Sequence, residues 1–330
     1  YIFRGPSQLV QDSKKRLYLV DKGGTEINVF DSSGVYLKTI GRNGKGPGEF
    51  LNIGSLDINN DTLIIFDGFN QRFTKLTFDG FSETYLVDSD DLGYIGAKKV
   101  VSGLGGFLIL LSSQKVRETR NQSLLYTFDS NFSLKGDSFG NITSLWDTDN
   151  DFIQYQAYLR KSLSTTLNEG KLYMTPEIYE NYILEIDINN DRSKRIYTDN
   201  KSKYNSYIEY DVDDLLKKIP NKIVFNGVFG KFVVQAVNRS LGIFSESGYV
   251  YHFFIEKVSE NNSSLSLNIF SIKDGFLDKV VIKKYNGHPV NTVKVLDFKY
   301  GNLFLTNLAN NPVIEVYELN VKANSASLTN

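Results

Sequence analysis

The chain has 330 residues, 41% hydrophobic and 23% charged, the composition of a soluble chain with a real core. Its 37 basic and 38 acidic residues give a net charge of −1, which lacks the basic excess expected of a nucleic-acid binder. The chain has no Cys, so disulfides, thiolate metal sites and Cys nucleophiles are excluded and the redox compartment is not readable. No apolar run reaches the roughly 18 to 20 residues of a membrane helix. The start at Tyr1, without Met, is expected of a processed or trimmed chain.

Period-2 alternation punctuated by turn residues runs the whole length, and helical periodicity is nearly absent. Aromatics at 13% fit strands, whose pleated surfaces favour them. The first unit reads as strand QLVQD, turn SKK, strand RLYLVD, turn KGGT, strand EINVFD, turn SSG, strand VYLKTI. The second repeats it as SLDI, NND, TLIIFD, GFNQ, RFTKLTF, DG, FSETYLV, so that Leu17–Asp21 matches Leu63–Asp67. Four short strands repeating at roughly 40 to 50 residues are the signature of a β-propeller blade.

The pattern predicts six blades at 8–40, 52–88, 98–140, 165–199, 222–285 and 292–321. The fold class is therefore all-β, a single six-bladed propeller of four-stranded antiparallel blades, about 55 residues per blade. The last unit shows three good strands, and Tyr1–Arg4 is expected to supply the fourth, which would leave no open edge at the seam. Two insertions break the rhythm: Ser144–Ser162, with the only Trp, and Asn200–Asn221, where Asp211 can cap a short helix Val212–Ile219 stopped by Pro220.

The crossover Gly44-Lys45-Gly46-Pro47-Gly48-Glu49-Phe50 is not a phosphate loop. Lys45 is followed by Gly rather than Ser or Thr, and no helix pattern follows. Pro47-Gly48 instead suits the centre of a type II turn with Gly48 at positive φ. Lys45 and Glu49 are the residues of this loop placed to line a channel mouth.

GxGPGEF followed by SLDI, LIIFD, Asn70-Gln71-Arg72 and FDG resembles an NHL-type repeat. Over its full length the chain is similar to the exported six-bladed β-propellers of Bacteroides-type bacteria. The shared features are the GxGPGEF crossover, a middle section like LYMTPEIYENYILEID and a late section like GIFSESGYVYHFF. That resemblance implies an exported protein of the periplasm or cell surface, often a lipoprotein whose only membrane tie is a lipid anchor on the precursor. It implies no defined activity, since propellers of this size include lactonases and lyases as well as binding proteins.

Asp12, Asp57 and Asp297 close the first strands of their units and are expected to cap their own turns. A ring of such carboxylates is also the weak candidate for a Ca²⁺ site on the axis. No other cofactor is indicated. Of the two histidines, His252 lies in an alternating strand and reads as a packed residue, while His288 sits in a handover loop where a base or ligand contact could serve. The first insertion gathers Trp146, Asp147, Asp149, Tyr155, Tyr158 and Arg160, and Tyr204, Tyr207 and Tyr210 can join from the second. Aromatics beside carboxylates and an Arg suit a glycan or peptide; the same residues can equally pack the insertions down.

Two functions are expected from these residues. One is a monomeric, non-enzymatic envelope protein that binds a glycan, peptide or protein partner on one face and no nucleic acid. The alternative is a metal-dependent lactonase- or lyase-like enzyme with its site at the central channel.

Overall fold

The computed structural model describes residues 2–87, 95–103, 105–113, 123–141, 163–176, 178, 181–198, 207–210, 213, 222–227, 230–287, 289, 292–308, 312–322 and 325–329. They divide into two compact units. Unit one is Tyr1–Asn141 with Leu296–Tyr317, and unit two is Ile142–Val295 with Glu318–Asn330.

Unit one opens with the antiparallel sheet β1 (Gln8–Gln11), β2 (Leu17–Asp21), β3 (Glu26–Phe30) and β4 (Tyr36–Ile40), each strand beside the next. The same meander recurs as β5 (Ile53–Asn59), β6 (Thr62–Asp67), β7 (Arg72–Thr77) and β8 (Gly80–Leu86). It recurs again as β9 (Ile95–Gly103), β10 (Gly106–Ser113), β11 (Ser123–Phe128) and β12 (Leu134–Asn141). The second strands are continuous apolar runs, such as Leu63-Ile64-Ile65-Phe66, and all four residues are buried because neighbours cover both faces of the sheet. Fourth strands are wetter: Tyr36-Leu37-Lys38-Thr39-Ile40 stays exposed or half-buried.

Neighbouring sheets in unit one share cores. Val10, Tyr18 and Val20 of the first pack with Leu56, Leu63 and Ile65 of the second. Phe73 of the second and Phe107 of the third close over Phe132, with ring centroids at 4.3 Å on each side and interplanar angles of 1° and 7°. Phe132 sits at φ 61°, a backbone region costly for a bulky side chain. The double stack offsets that cost, since stacked aromatic pairs contribute about 0.5–1.5 kcal/mol beyond area burial. Leu9 and Leu19 pack with Leu296 and Phe304.

Unit two carries β13 (Leu163–Asn168), β14 (Lys171–Pro176), β15 (Tyr182–Asp187) and β16 (Arg192–Tyr197). A further meander is β20 (Arg239–Glu246), β21 (Tyr249–Ser259), β22 (Asn262–Ser271) and β23 (Gly275–Asn286). Tyr173, Ile183, Ile243, Val250 and Phe270 form the core between these sheets. The outer strand Arg192–Tyr197 is polar in sequence and largely exposed. A sixth four-stranded sheet is β24 (Val293–Lys299), β25 (Asn302–Asn307), β26 (Val313–Lys322) and β27 (Ser325–Thr329).

Two boundaries differ from the sequence reading. The fifth blade begins at Arg239, because β18 (Lys222–Gly227) and β19 (Gly230–Ala236) form a separate three-stranded sheet with β17 (Tyr207–Tyr210). The hairpin Lys222–Ala236, assigned by sequence to the fifth blade, thus belongs with β17 of the second insertion, a distinction that apolar alternation alone cannot make. In the last sheet the fourth strand is β27, paired to β26 from Glu318↔Thr329 to Lys322↔Ser325. Ile2–Arg4 form no strand; the Arg4 amide instead donates to both Asp21 oxygens at 3.1 Å. The long β26 offers its own tail a partner, and local pairing closes the shorter loop. Except for Asp213, the expected helix Val212–Ile219 lies outside the described residues.

Candidate functional site

The crossover before β5 is a structural latch. Asp67, fully buried, accepts from the Leu51 amide at 3.0 Å, the Asn52 amide at 3.1 Å and the Asn70 side chain at 2.6 Å. Asn70 also donates to the Gly44 carbonyl at 3.1 Å. The Arg72 guanidinium donates to the carbonyls of Lys45 at 2.8 Å, Gly46 at 3.0 Å and Glu49. The Asp, Asn and Arg of the repeat therefore hold one loop by its backbone. The Glu49 carboxylate is turned into the same loop, accepting from the Gly46 amide and from Arg42 Nε, both at 2.8 Å. The Gly46 amide, then Arg42, hold it below the usual carboxylate range. Glu49 N–H donates to the Gly46 carbonyl at 3.1 Å and Gly48 has φ 71°, which is the type II turn expected at Pro47-Gly48. Lys45 is exposed beside it.

The three first-strand carboxylates are not equivalent. Asp12 caps its own turn, accepting from Arg16 N at 2.8 Å, Arg16 Nε at 2.5 Å and Tyr18 OH at 3.1 Å. Asp57 reaches to the next sheet and accepts from Ser102 N and Ser102 Oγ, both at 3.0 Å. Asp297 caps no turn: its Oδ1 accepts from the Phe298 amide at 2.9 Å, and its buried Oδ2 has no hydrogen-bond partner among the described residues. Among those residues, no group of three His, Asp or Glu side chains is placed to hold a metal.

Asp297 is the most perturbed carboxylate among the described residues. Burial pushes its pKa up to about 7; the Lys99 and Lys299 ammoniums and the Phe298 amide pull the other way, and Asp57 adds to the rise. Lys299 is committed elsewhere, donating to the Gln11 carbonyl at 2.8 Å. Lys99 lies on β9, opposite Leu110 of β10. Gln11 is buried and its side-chain oxygen is also without a partner there. In this unit β1 packs on β5 and β5 on β9, joined by Gln8 to the Ile53 and Gly54 carbonyls and by the Val100 amide to Ser55 Oγ at 3.0 Å. The charges of Asp57, Lys99 and Lys299 act on Asp297, and Lys299 ties β24 to the Gln11 backbone. A pKa of about 7 puts Asp297 where a general base or a proton-linked acceptor is useful.

His252 is packed, as its strand pattern implies. It is fully buried, stacks on Phe254 at 5.3 Å and shares a hydrogen bond of 3.0 Å with Ser240 Oγ. Burial lowers its pKa to about 3, so it stays neutral at physiological pH. Trp146, Asp147, Asp149, Tyr155, Tyr158, Arg160, Tyr204 and His288 lie outside the described residues; Tyr207 and Tyr210 are placed on β17 by their backbone only.

Sequence reasoning singled out Asp297 and Asp57 but missed Lys99, Lys299 and Gln11. Lys299 is visible as the residue two beyond Asp297 on an alternating strand. Lys99 required recognising β9, whose sequence IGAKKVVSG carries a doubled lysine and two glycines.

Six four-stranded antiparallel meanders define a six-bladed β-propeller. Residues 5–210, more than half of the chain, match DUF5128, a family of 6-bladed β-propellers, and the protein belongs to that family. A DUF4221 family member from Bacteroides vulgatus is similar in structure, with TM-score 0.59 and 10% identity over 100% of this chain and 94% of that one. A candidate exported protein from Bacteroides fragilis gives 0.51 and 10% over 93% and 80%. Virginiamycin B lyase from Staphylococcus aureus gives 0.46 and 11% over 96% and 97%, too distant to bear on chemistry. Such likenesses speak to the fold alone. No curated protein matches the chain.

Proposed function

We propose that this propeller is a non-enzymatic cell-envelope binding protein that recognises a glycan, peptide or protein partner. The carrying observation is unspent polarity. Asp67 and Asp12 are saturated with donors, whereas the Asp297 Oδ2 and the Gln11 side-chain oxygen are buried without a hydrogen-bond partner among the described residues. Buried polar atoms in native proteins are nearly always paired, and a bound ligand supplies what is missing. The insertion residues Trp146, Asp149, Tyr155, Tyr158 and Arg160, with Tyr207 and His288, offer a second recognition surface by their chemistry. Export and a lipid anchor on the precursor belong to the same reading and rest on the sequence resemblance.

A glycan array and a peptide library screened with the purified chain test it. Binding that falls on Asp297→Ala or on Trp146→Ala supports the reading and says which surface serves. The second reading is a lactonase- or lyase-like enzyme, favoured by the Asp297 pKa of about 7, where a base works best. Turnover of lactones or esters that disappears in Asp297→Asn would replace the binding reading with the enzymatic one.

A further inference from the structure

We propose that β16, the outer strand of the fourth blade, docks an acidic peptide segment in extended form, which adds to the sheet edge beside a basic cleft. This surface is separate from those of the binding reading.

β16 ends its sheet, so the row of backbone groups on its far side has no strand partner within that sheet. Its sequence, RSKRIY, carries three cations and no acid, in a chain whose net charge is −1. Like charges on such an edge discourage pairing with a second copy of itself, and the same charges favour an acidic strand. Beside the edge lies an open cleft of about 430 Å³, lined by residues 194–197 of β16, Glu185 of β15 and residues 272–276, where β22 turns into β23. Successive side chains of a strand point to opposite faces, so a cleft that meets four consecutive residues reaches the strand's edge as well as one face. The acids of the cleft are already engaged. One Glu185 oxygen holds both Lys171 at 3.1 Å and Lys194 at 3.2 Å, so the three together keep a positive charge. Asp274 accepts from Ser271 Oγ at 2.9 Å within its own turn. Lys194 and Lys273 are exposed, and Arg195 lies over the Tyr182 ring at 5.1 Å. Half-buried Ile196, Ile272 and Phe276 pack on the core between the two sheets and give the cleft a fixed apolar wall. A cationic rim on an apolar wall suits alternating acidic and aliphatic residues, whose period of two is the strand's own. A cationic peptide would meet like charge, and a free carboxylate would use neither the wall nor the edge.

The test is fluorescence anisotropy of the intact chain with labelled peptides of about six residues, alternating Glu with Val or Lys with Val. The acidic peptide is expected to bind at least about tenfold more tightly than the basic one, and the preference to shrink as salt is raised. The double change Lys194→Gln with Lys273→Glu is expected to weaken the acidic peptide about tenfold, and Lys194→Arg with Lys273→Arg to retain it. A proline at the centre of the acidic peptide, which cannot complete strand pairing, is expected to abolish binding. Thermal melts establish that each variant is folded. No binding, equal binding of the two peptides, a preference untouched by the double change, or full binding of the proline peptide overturns the inference. Asp297→Ala and Trp146→Ala test the binding reading and are expected to leave this interaction intact. Peptide binding lost in either of those variants but kept in the lysine double variant sinks the edge site and supports the binding reading instead.

Discussion

Asp67 and Asp297 are both carboxylates on strands of the first unit with oxygens sealed from solvent, yet they are treated in opposite ways. Asp67 has a donor for every oxygen and lies 4.0 Å from the Arg72 guanidinium. Asp297 has one backbone donor and, among the described residues, an orphaned Oδ2. Asp67 is repeated: Asp21 ends β2 as Asp67 ends β6, and it likewise takes the amide of the chain leading into its blade, Arg4. Asp297 keeps the place of Asp57 in the repeat but not its partner. A residue that serves the fold recurs with its partners, and a residue that has lost them is where a ligand is to be sought.

The comparison can be broken most directly at Asp67. Asp67→Ala leaves the Leu51 and Asn52 amides and the Arg72 charge unsatisfied in a buried site, and should cost roughly 3–5 kcal/mol, read as a lower urea midpoint. A cost below about 1 kcal/mol would remove the structural half of the contrast. At Asp297 the sign reverses. Its folded pKa is raised to about 7, so the folded chain keeps a proton that the unfolded chain releases from about pH 4 upward. Stability is therefore lost as pH rises from about 4 to about 7 and is flat beyond. Asp297→Asn should be the more stable protein at pH 8, by on the order of 2 kcal/mol, and the advantage should vanish near pH 4. Thermal melts across that range decide it, and a variant no more stable at pH 8 would mean the carboxylate is not strained.

Smaller effects sharpen the latch itself. Gly48 sits at φ 71° with open space where a Cβ would stand, so Gly48→Ala should cost only the left-handed backbone term, about 1–2 kcal/mol. Gly41, at φ 83°, would in addition drive a Cβ to 2.6 Å from the buried Phe50 ring, so Gly41→Ala should exceed Gly48→Ala in the same denaturant titration. The weakest contact is the exposed pair Arg42–Glu49 at 2.8 Å. Its loss in Arg42→Ala should change stability by less than about 1 kcal/mol and depend on salt.

Much of this protein is determined by sequence read locally. Alternation and turn chemistry place the strands from Gln8 to Thr77, because a strand buried on one or both faces must show its pattern in the chain itself. Gly44–Phe50 with Asp67, Asn70 and Arg72 is legible for the same reason: the latch is built from residues close in sequence and repeated. The packed state of His252 follows from its apolar neighbours on an alternating strand. What the tertiary structure decided is where contacts span distant residues. Lys99 acts on Asp297 from a strand far away in the chain, β27 rather than Ile2–Arg4 completes the last sheet, and Lys222–Ala236 pairs with β17 instead of joining a blade. Periodicity states which side of a strand a residue occupies, but not which remote strand it meets, since that choice is made by packing and hydrogen bonding in the folded chain.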